Sequence, residues 1–219
     1  MKKLIFLSIN VFLKLSICRI LQLWNIKQLN LNGTILEFGA FENKKKNFSS
    51  NLKNQNYEIF YSNINKKNKK FLNVDLEKKI KIKKKFDNVL IFNVLEHIRD
   101  LSFSLKQISF ILKKDGLIIG STPFIYRVHG APKDCFRYTS YTLENELKKL
   151  FNNVKVYELG YGPATAALSI IFDYTKFIPF LNNILILITL FIDKLLNAFI
   201  KTDLKILYPI AIFFIAKKK

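Results

Sequence analysis

Apolar positions follow two rhythms along the chain. Residues 89–92 form a short unbroken apolar run with β-branched members, the pattern of a strand covered on both faces. Residues 34–38, preceded by the turn pair Asn32 and Gly33, and residues 57–64 also read as strands. Leu101, Leu105, Ile108 and Leu112 then recur at helical spacing, with Lys113 and Lys114 expected in the last turn and Gly116 at the helix end. Residues 117–120 supply another strand. A strand, a helix and a strand joined by short turns make a βαβ unit, which implies a parallel sheet. Further on, Leu143, Leu147 and Leu150 predict a helix over 141–151 with Thr142 as its N-cap, and residues 154–159 alternate as a strand does. Residues 208–216 are apolar and β-rich, with Pro209 tolerable because it opens the run.

Two stretches are more apolar than this scheme needs. In the first, Ile5, Ile9, Leu13, Ile17, Ile20 and Trp24 form a helical stripe, with Lys3, Asn10, Lys14 and Gln22 opposite. Lys14 ends the initial apolar run and no small-residue cleavage site follows, so a secretory signal is disfavoured. The stripe fits a helix packed on its own domain or one lying in a membrane surface. The second stretch is 164–200. Its most apolar part, 177–192, falls short of the roughly 20 residues a span requires, and Pro179, Asn182 and Asn183 interrupt it. Extending it brings in Asp193 and Lys194. The expectation is two short helices in the membrane interface, with packing on the domain or on a second subunit as the alternative.

A length of 219 residues suits one α/β domain with attached segments. The net charge of +20, from 36 Lys and Arg against 16 Asp and Glu, leaves anionic membrane or nucleic acid open as partners, unless it reflects composition bias alone. Much of it lies in two basic blocks, 66–70 and 78–85, where the aromatic interleaving that single-stranded nucleic acid uses is thin. Cys18 and Cys135 offer neither a disulfide framework nor a zinc cluster, so no metal is expected and a reducing compartment is. One loop after residue 123 gathers His129, Pro132, Asp134, Arg137 and Tyr138. His129 is the candidate base, having an ordinary pKa of about 6.5; Asp134 and Arg137 either act with it or pair to order the loop.

Phe86-Asp87, Asn93-Val94-Leu95-Glu96-His97, Leu112-Lys113-Lys114-Asp115-Gly116 and Ser121-Thr122-Pro123, in this order, resemble the fourth and fifth strand region of class I S-adenosylmethionine (SAM) dependent methyltransferases. The loop from His129 to Thr139 is similar to a branch found with bacterial surface-polysaccharide genes. The resemblance implies a Rossmann-like doubly wound, mostly parallel seven-stranded α/β sheet, with an apolar helical insertion before the last strand. The divisions would be an amphipathic segment at 1–30, the methyltransferase-like domain at 31–163, the insertion at 164–204, and the last strand with a basic tail at 205–219. It also implies SAM as cofactor, held by Glu37 at the end of the first strand with Gly39 and Ala40 after it, Asn63 near the ribose, Asp75 and Leu76 near the adenine, and Asn93 and His97 after the fourth strand. The acceptor would be a small molecule or glycan, lipid-linked in one reading. The enzyme would then be cytoplasmic and peripheral to the inner membrane face. Phe41 and Asn43 stand where further glycines are usual, so a catalytically impaired relative stays open, as does an RNA-directed role for the lysine blocks.

Overall fold

A computed structural model describes residues 2–54, 56–64, 70–130 and 133–219. Pro132 and residues 66–69 of the first basic block lie outside these. The chain forms seven strands, β1 Gly33–Phe38, β2 Tyr57–Ser62, β3 Phe71–Leu72, β4 Phe86–Phe92, β5 Leu112–Pro123, β6 Phe151–Leu159 and β7 Ala211–Lys218. Seven α-helices accompany them: α1 Lys2–Phe12, α2 Ile17–Ile26, α3 Leu101–Ile111, α4 Ser140–Lys148, α5 Pro163–Thr175, α6 Pro179–Phe199 and α7 Leu204–Leu207. The strands make one mixed seven-stranded sheet in the order β3-β2-β1-β4-β5-β7-β6. The pairs β1/β2, β2/β3, β1/β4 and β4/β5 are all parallel. Strand order reverses between β1 and β4, the switch point where sheets of this kind receive ligands.

The chain divides into two compact units. One contains 26–122, 129–157 and 213–219; the other contains 1–25, 123–128 and 158–212. In the first unit the runs that read as doubly covered strands are buried: Ile35, Leu36, Val89, Leu90 and Ile91 have no exposed surface, and neither do Leu105 and Ile108 on α3. Phe48 stacks on Phe92 with ring centroids 4.1 Å apart. Asp87 joins the lower ends of the strands, accepting from the Thr34 N–H at 2.8 Å, the Thr34 hydroxyl at 2.7 Å and Lys113 Nζ at 2.8 Å. That lysine and the Thr34 bonds hold the Asp87 carboxyl down at about 2. Part of the second basic block is engaged with aromatic rings. Lys84 lies 3.8 Å from the Phe60 ring centroid and Lys85 3.6 Å from that of Phe110.

Several boundaries differ from the pattern in the sequence. α3 stops at Ile111, so Lys113 and Lys114 belong to β5 and not to a last helical turn. The left-handed residue there is Asp115, at φ 63°, whereas Gly116 is needed for space: a Cβ would lie 2.9 Å from the Asp87 carbonyl oxygen. The N-cap of α4 is Thr139, which accepts from the Thr142 N–H at 3.2 Å. Pro209 precedes β7 and takes no place in it. Within the second unit, the N-terminal stripe is split into two helices at Lys14, whose φ is 64°. Ile17 and Ile20 are buried, but Ile5, Ile9 and Leu13 are exposed. Pro179 stands in the first turn of α6, with Asn182 and Asn183 inside that helix, so these residues start a long helix where interruption was expected.

Candidate active site

A cleft of about 440 Å³ opens at the carboxyl ends of β1, β2 and β4, within the range typical of small-molecule sites. The turn after β1 supplies Gly39 and Phe41, the turn after β2 supplies Asn63 and Ile64, and Asn93, Val94 and His97 come from the segment after β4. Asp75 and Leu76 close the side beyond β3. Six of the residues that sequence assigns to the cofactor, Gly39, Asn63, Asp75, Leu76, Asn93 and His97, therefore meet in one cavity.

Glu37 and Ala40 are not in its lining. Glu37 is buried and accepts from the Phe48 N–H at 2.8 Å and the Ser49 N–H at 3.1 Å. Ala40 is buried, its N–H bonding the Ser62 carbonyl at 3.1 Å. Both hold the loop after β1 in shape and act at one remove from the cavity. That loop needs left-handed backbone only at Gly39, with φ 68°, where a Cβ would press to 2.8 Å from a Val94 methyl. Among the described non-glycine residues, neither Phe41 nor Asn43 has positive φ. Phe41 donates to Asn47 at 2.7 Å, and Asn43 caps the 3-10 turn Lys44–Lys46. The departures from a glycine-rich loop thus cost no backbone strain here. Beyond β4 the left-handed position falls on Asn93, φ 53°, a residue type that tolerates it.

A second group adjoins His97. Asp134 accepts from Arg137 NH2 at 2.6 Å and from the His129 N–H at 2.9 Å, and lies 3.2 Å from His129 Nδ1. The Arg137 guanidinium, which also bonds the other carboxylate oxygen, holds the Asp134 carboxyl well below the usual carboxylate range. The His129 and His97 rings meet edge to face, centroids 5.1 Å apart. Asp134 and Arg137 thus form an ion pair that shapes the loop and orients His129.

The residue sequence reasoning passed over is Glu96. It is wholly buried; Thr122 donates to its Oε2 at 3.3 Å, while its Oε1 has no hydrogen-bond partner among the described residues. Burial pushes its carboxyl up to about 8. The loop seals it in, because the Cys135 and Phe136 N–H groups bond the Glu96 carbonyl at 2.7 and 3.1 Å. Nothing local marks this glutamate, since only the folding of a distant loop buries it.

A doubly wound sheet with a cleft of this kind at its switch point defines a nucleotide-cofactor α/β domain. The chain belongs to the methyltransferase-domain family, whose model matches residues 12–158, and its fold is that of the class I SAM-dependent methyltransferases. No curated protein sequence matches the chain. Among solved structures it is similar to Haemonchus contortus phosphoethanolamine N-methyltransferase 2, in complex with phosphomonomethylethanolamine and S-adenosylhomocysteine. That match has a TM-score of 0.55 and 15% identity, over 90% of this chain and 52% of that one. The chain thus spans about half the length of the Haemonchus enzyme. It is also similar to a Thermotoga maritima SAM-dependent methyltransferase, with a TM-score of 0.52 and 16% identity over 90% and 88% of the two chains. At these identities the likeness is one of fold.

Proposed function

We propose that this protein methylates a hydroxyl or amine of a small-molecule or glycan acceptor, using SAM. The observation that carries the reading is the single cleft that gathers Gly39, Asn63, Asp75, Leu76, Asn93 and His97 at the switch point of a methyltransferase-family sheet. Apolar walls with a few convergent polar groups suit an adenosine moiety. Leu76 and Ile98 offer apolar surface, Asp75 offers an acceptor for an exocyclic amine, and Asn63, whose Nδ2 donates to the Ala40 carbonyl at 3.0 Å, offers its amide oxygen to a ribose hydroxyl. Gly39 lets bare backbone form the wall. When bound, SAM supplies an electrophilic methyl group on sulfur. The protein's part is to hold an acceptor in line with it and to take a proton where the acceptor must lose one. His129, oriented through Asp134, is positioned for that task.

Calorimetry with SAM tests the reading. Wild-type protein is expected to bind, and Gly39→Val to lose binding, because valine at a left-handed position beside Val94 both strains the turn and displaces the wall. Absence of wild-type binding at millimolar SAM overturns it.

The second unit supports a membrane-held acceptor, such as a lipid-linked glycan. α6 is long and apolar enough to cross a membrane, yet only 17% of its apolar stretch is buried. Phe180, Leu187, Phe191 and Phe199 are exposed on it, as are Ile5 and Ile9 on α1. Such a surface is far from what a free monomer shows to water. α5 and α6 pair as an antiparallel hairpin, since Asn182 reaches the Thr175 carbonyl at 2.8 Å while Asp193 binds the start of α5. With 13 residues, α5 is too short to return across a bilayer, so the hairpin is read as lying in the interface.

A further inference from the structure

We propose that Glu96, His97 and His129 form a binding site for a divalent first-row transition-metal ion. Glu96 and His97 lie in the 3-10 turn after β4, and His129 lies in the loop after β5; one ligand atom from each can be chosen so that all lie within 4.8 Å of one another. The His97 Nε2 is 3.9 Å from Glu96 Oε1. Donors on a common ion sit about 2.0–2.2 Å from it, so they stand at most about 4.4 Å apart. Closure by a few tenths of an ångström therefore completes the site.

Three independent features suggest a cation. First, Glu96 Oε1 is buried without a hydrogen-bond partner among the described residues, an arrangement that costs free energy unless something positive meets it. Second, both rings are held from behind, as ligating histidines are. The Nδ1 of His97 lies 2.5 Å from the Lys133 carbonyl oxygen and that of His129 3.2 Å from Asp134 Oδ2, so Nε2 is the nitrogen each ring would offer to an ion. Third, these are the only two histidines in the chain. Two imidazoles and one carboxylate favour zinc, cobalt or iron(II) over magnesium or calcium, and three protein ligands leave a position open for an exogenous oxygen.

His97 also lines the cofactor cleft, so the open position adjoins it. An acceptor hydroxyl bound there sheds its proton to solvent more readily, as metal-bound water does. The resulting alkoxide forms the new O–C bond as the methyl C–S bond breaks, its electron pair going to sulfur. With the ion bound His129 is a ligand, so the base role given to it in the ion-free protein falls away and the proton goes to solvent. This chemical role rests on the methyl-transfer reading; binding of the ion does not.

Cobalt(II) titration of the chelator-stripped, untagged full chain tests the site by visible absorption, and calorimetry with zinc by heat. One ion per chain is expected. Glu96→Gln and His129→Asn should each weaken binding by more than the roughly 10- to 100-fold that loss of an outer partner costs, and Asp134→Asn by about that amount. Circular dichroism and urea unfolding establish that each variant is folded. No saturable binding up to millimolar cobalt, or binding equal to wild type in both ligand variants, overturns the site. SAM binding by the same stripped protein reads the methyltransferase assignment separately, so either can fail alone.

Discussion

At the scale of single residues, Glu96 departs most from ordinary behaviour. Its carboxyl is raised to about 8 by burial, so in the metal-free folded chain it holds a proton that it releases on unfolding. Between its ordinary value of 4.5 and about 8, the folded state therefore binds more protons, and stability falls as pH rises through that window. The isosteric variant Glu96→Gln removes the ionisation while keeping the shape. With chelator present, the wild-type Tm is expected to drop between pH 6 and pH 9 (roughly the upper half of that window and just beyond), and the variant's Tm to drop less. Parallel curves would show that Glu96 is not the group responsible. Asp134 has the opposite sign: its carboxyl is depressed by Arg137, so its contribution is present at neutral pH and is lost only in strong acid. Gly39 was visible in the sequence because close approach to bare backbone selects glycine, and Asn93 because of its place after the fourth strand; its left-handed φ of 53° emerged only with the structure. Glu96 was not, because a carboxylate reads the same whether it caps a turn in water or lies beneath a loop.

Elements were legible where burial is two-sided and local. Strands β1 and β4 were found within a few residues because continuous apolar runs have few other uses. Their flanks were less legible. The ending of α3 depended on Asp115, and the two-residue β3 exists only because β2 offers it a parallel partner. Asp193 shows how a correct observation can carry the wrong weight. In sequence it is a charge spoiling an apolar helix, but in the structure it is buried and caps α5, whose own N-cap Gly162 has no side chain to offer. Its Oδ1 accepts from the Ala164 N–H at 2.9 Å and its Oδ2 from the Thr165 N–H at 3.0 Å, with the Thr165 hydroxyl also bonded. Asp193→Ala removes all three bonds and leaves buried donors unmet, so a loss of about 2–3 kcal/mol is expected. Urea unfolding measures it; a change under about 0.5 kcal/mol, the level of an ordinary surface substitution, would show that the cap contributes little.

At the scale of the whole molecule, a net charge of +20 and a broad exposed apolar surface on one unit occur in the same chain. Neither was conclusive from composition, since charge alone fits nucleic acid equally well and apolarity alone fits a core helix. The structure shows α6 largely unburied, which a core helix is not. Together the two features suit an anionic bilayer: apolar side chains enter the interface while lysines meet headgroups, each worth about 1 kcal/mol near the surface. Flotation with vesicles should therefore show binding that rises with anionic lipid content and weakens in salt without vanishing, because the apolar contribution does not depend on ionic strength. Replacing Phe191, exposed on α6, by Asp should lower vesicle affinity about tenfold or more, given the roughly 1.5–3 kcal/mol that burying such a side chain contributes. In cell fractions, release by alkaline carbonate or moderate salt fits a hairpin in the interface, whereas extraction by detergent alone would require α6 to span. A single crossing would place β7 across the membrane from the β5 and β6 strands it joins in the sheet, so a detergent-only result would also contradict the observed strand order. A protein recovered wholly soluble and monomeric would instead remove the membrane from the account and leave the exposed face of α6 without its proposed partner.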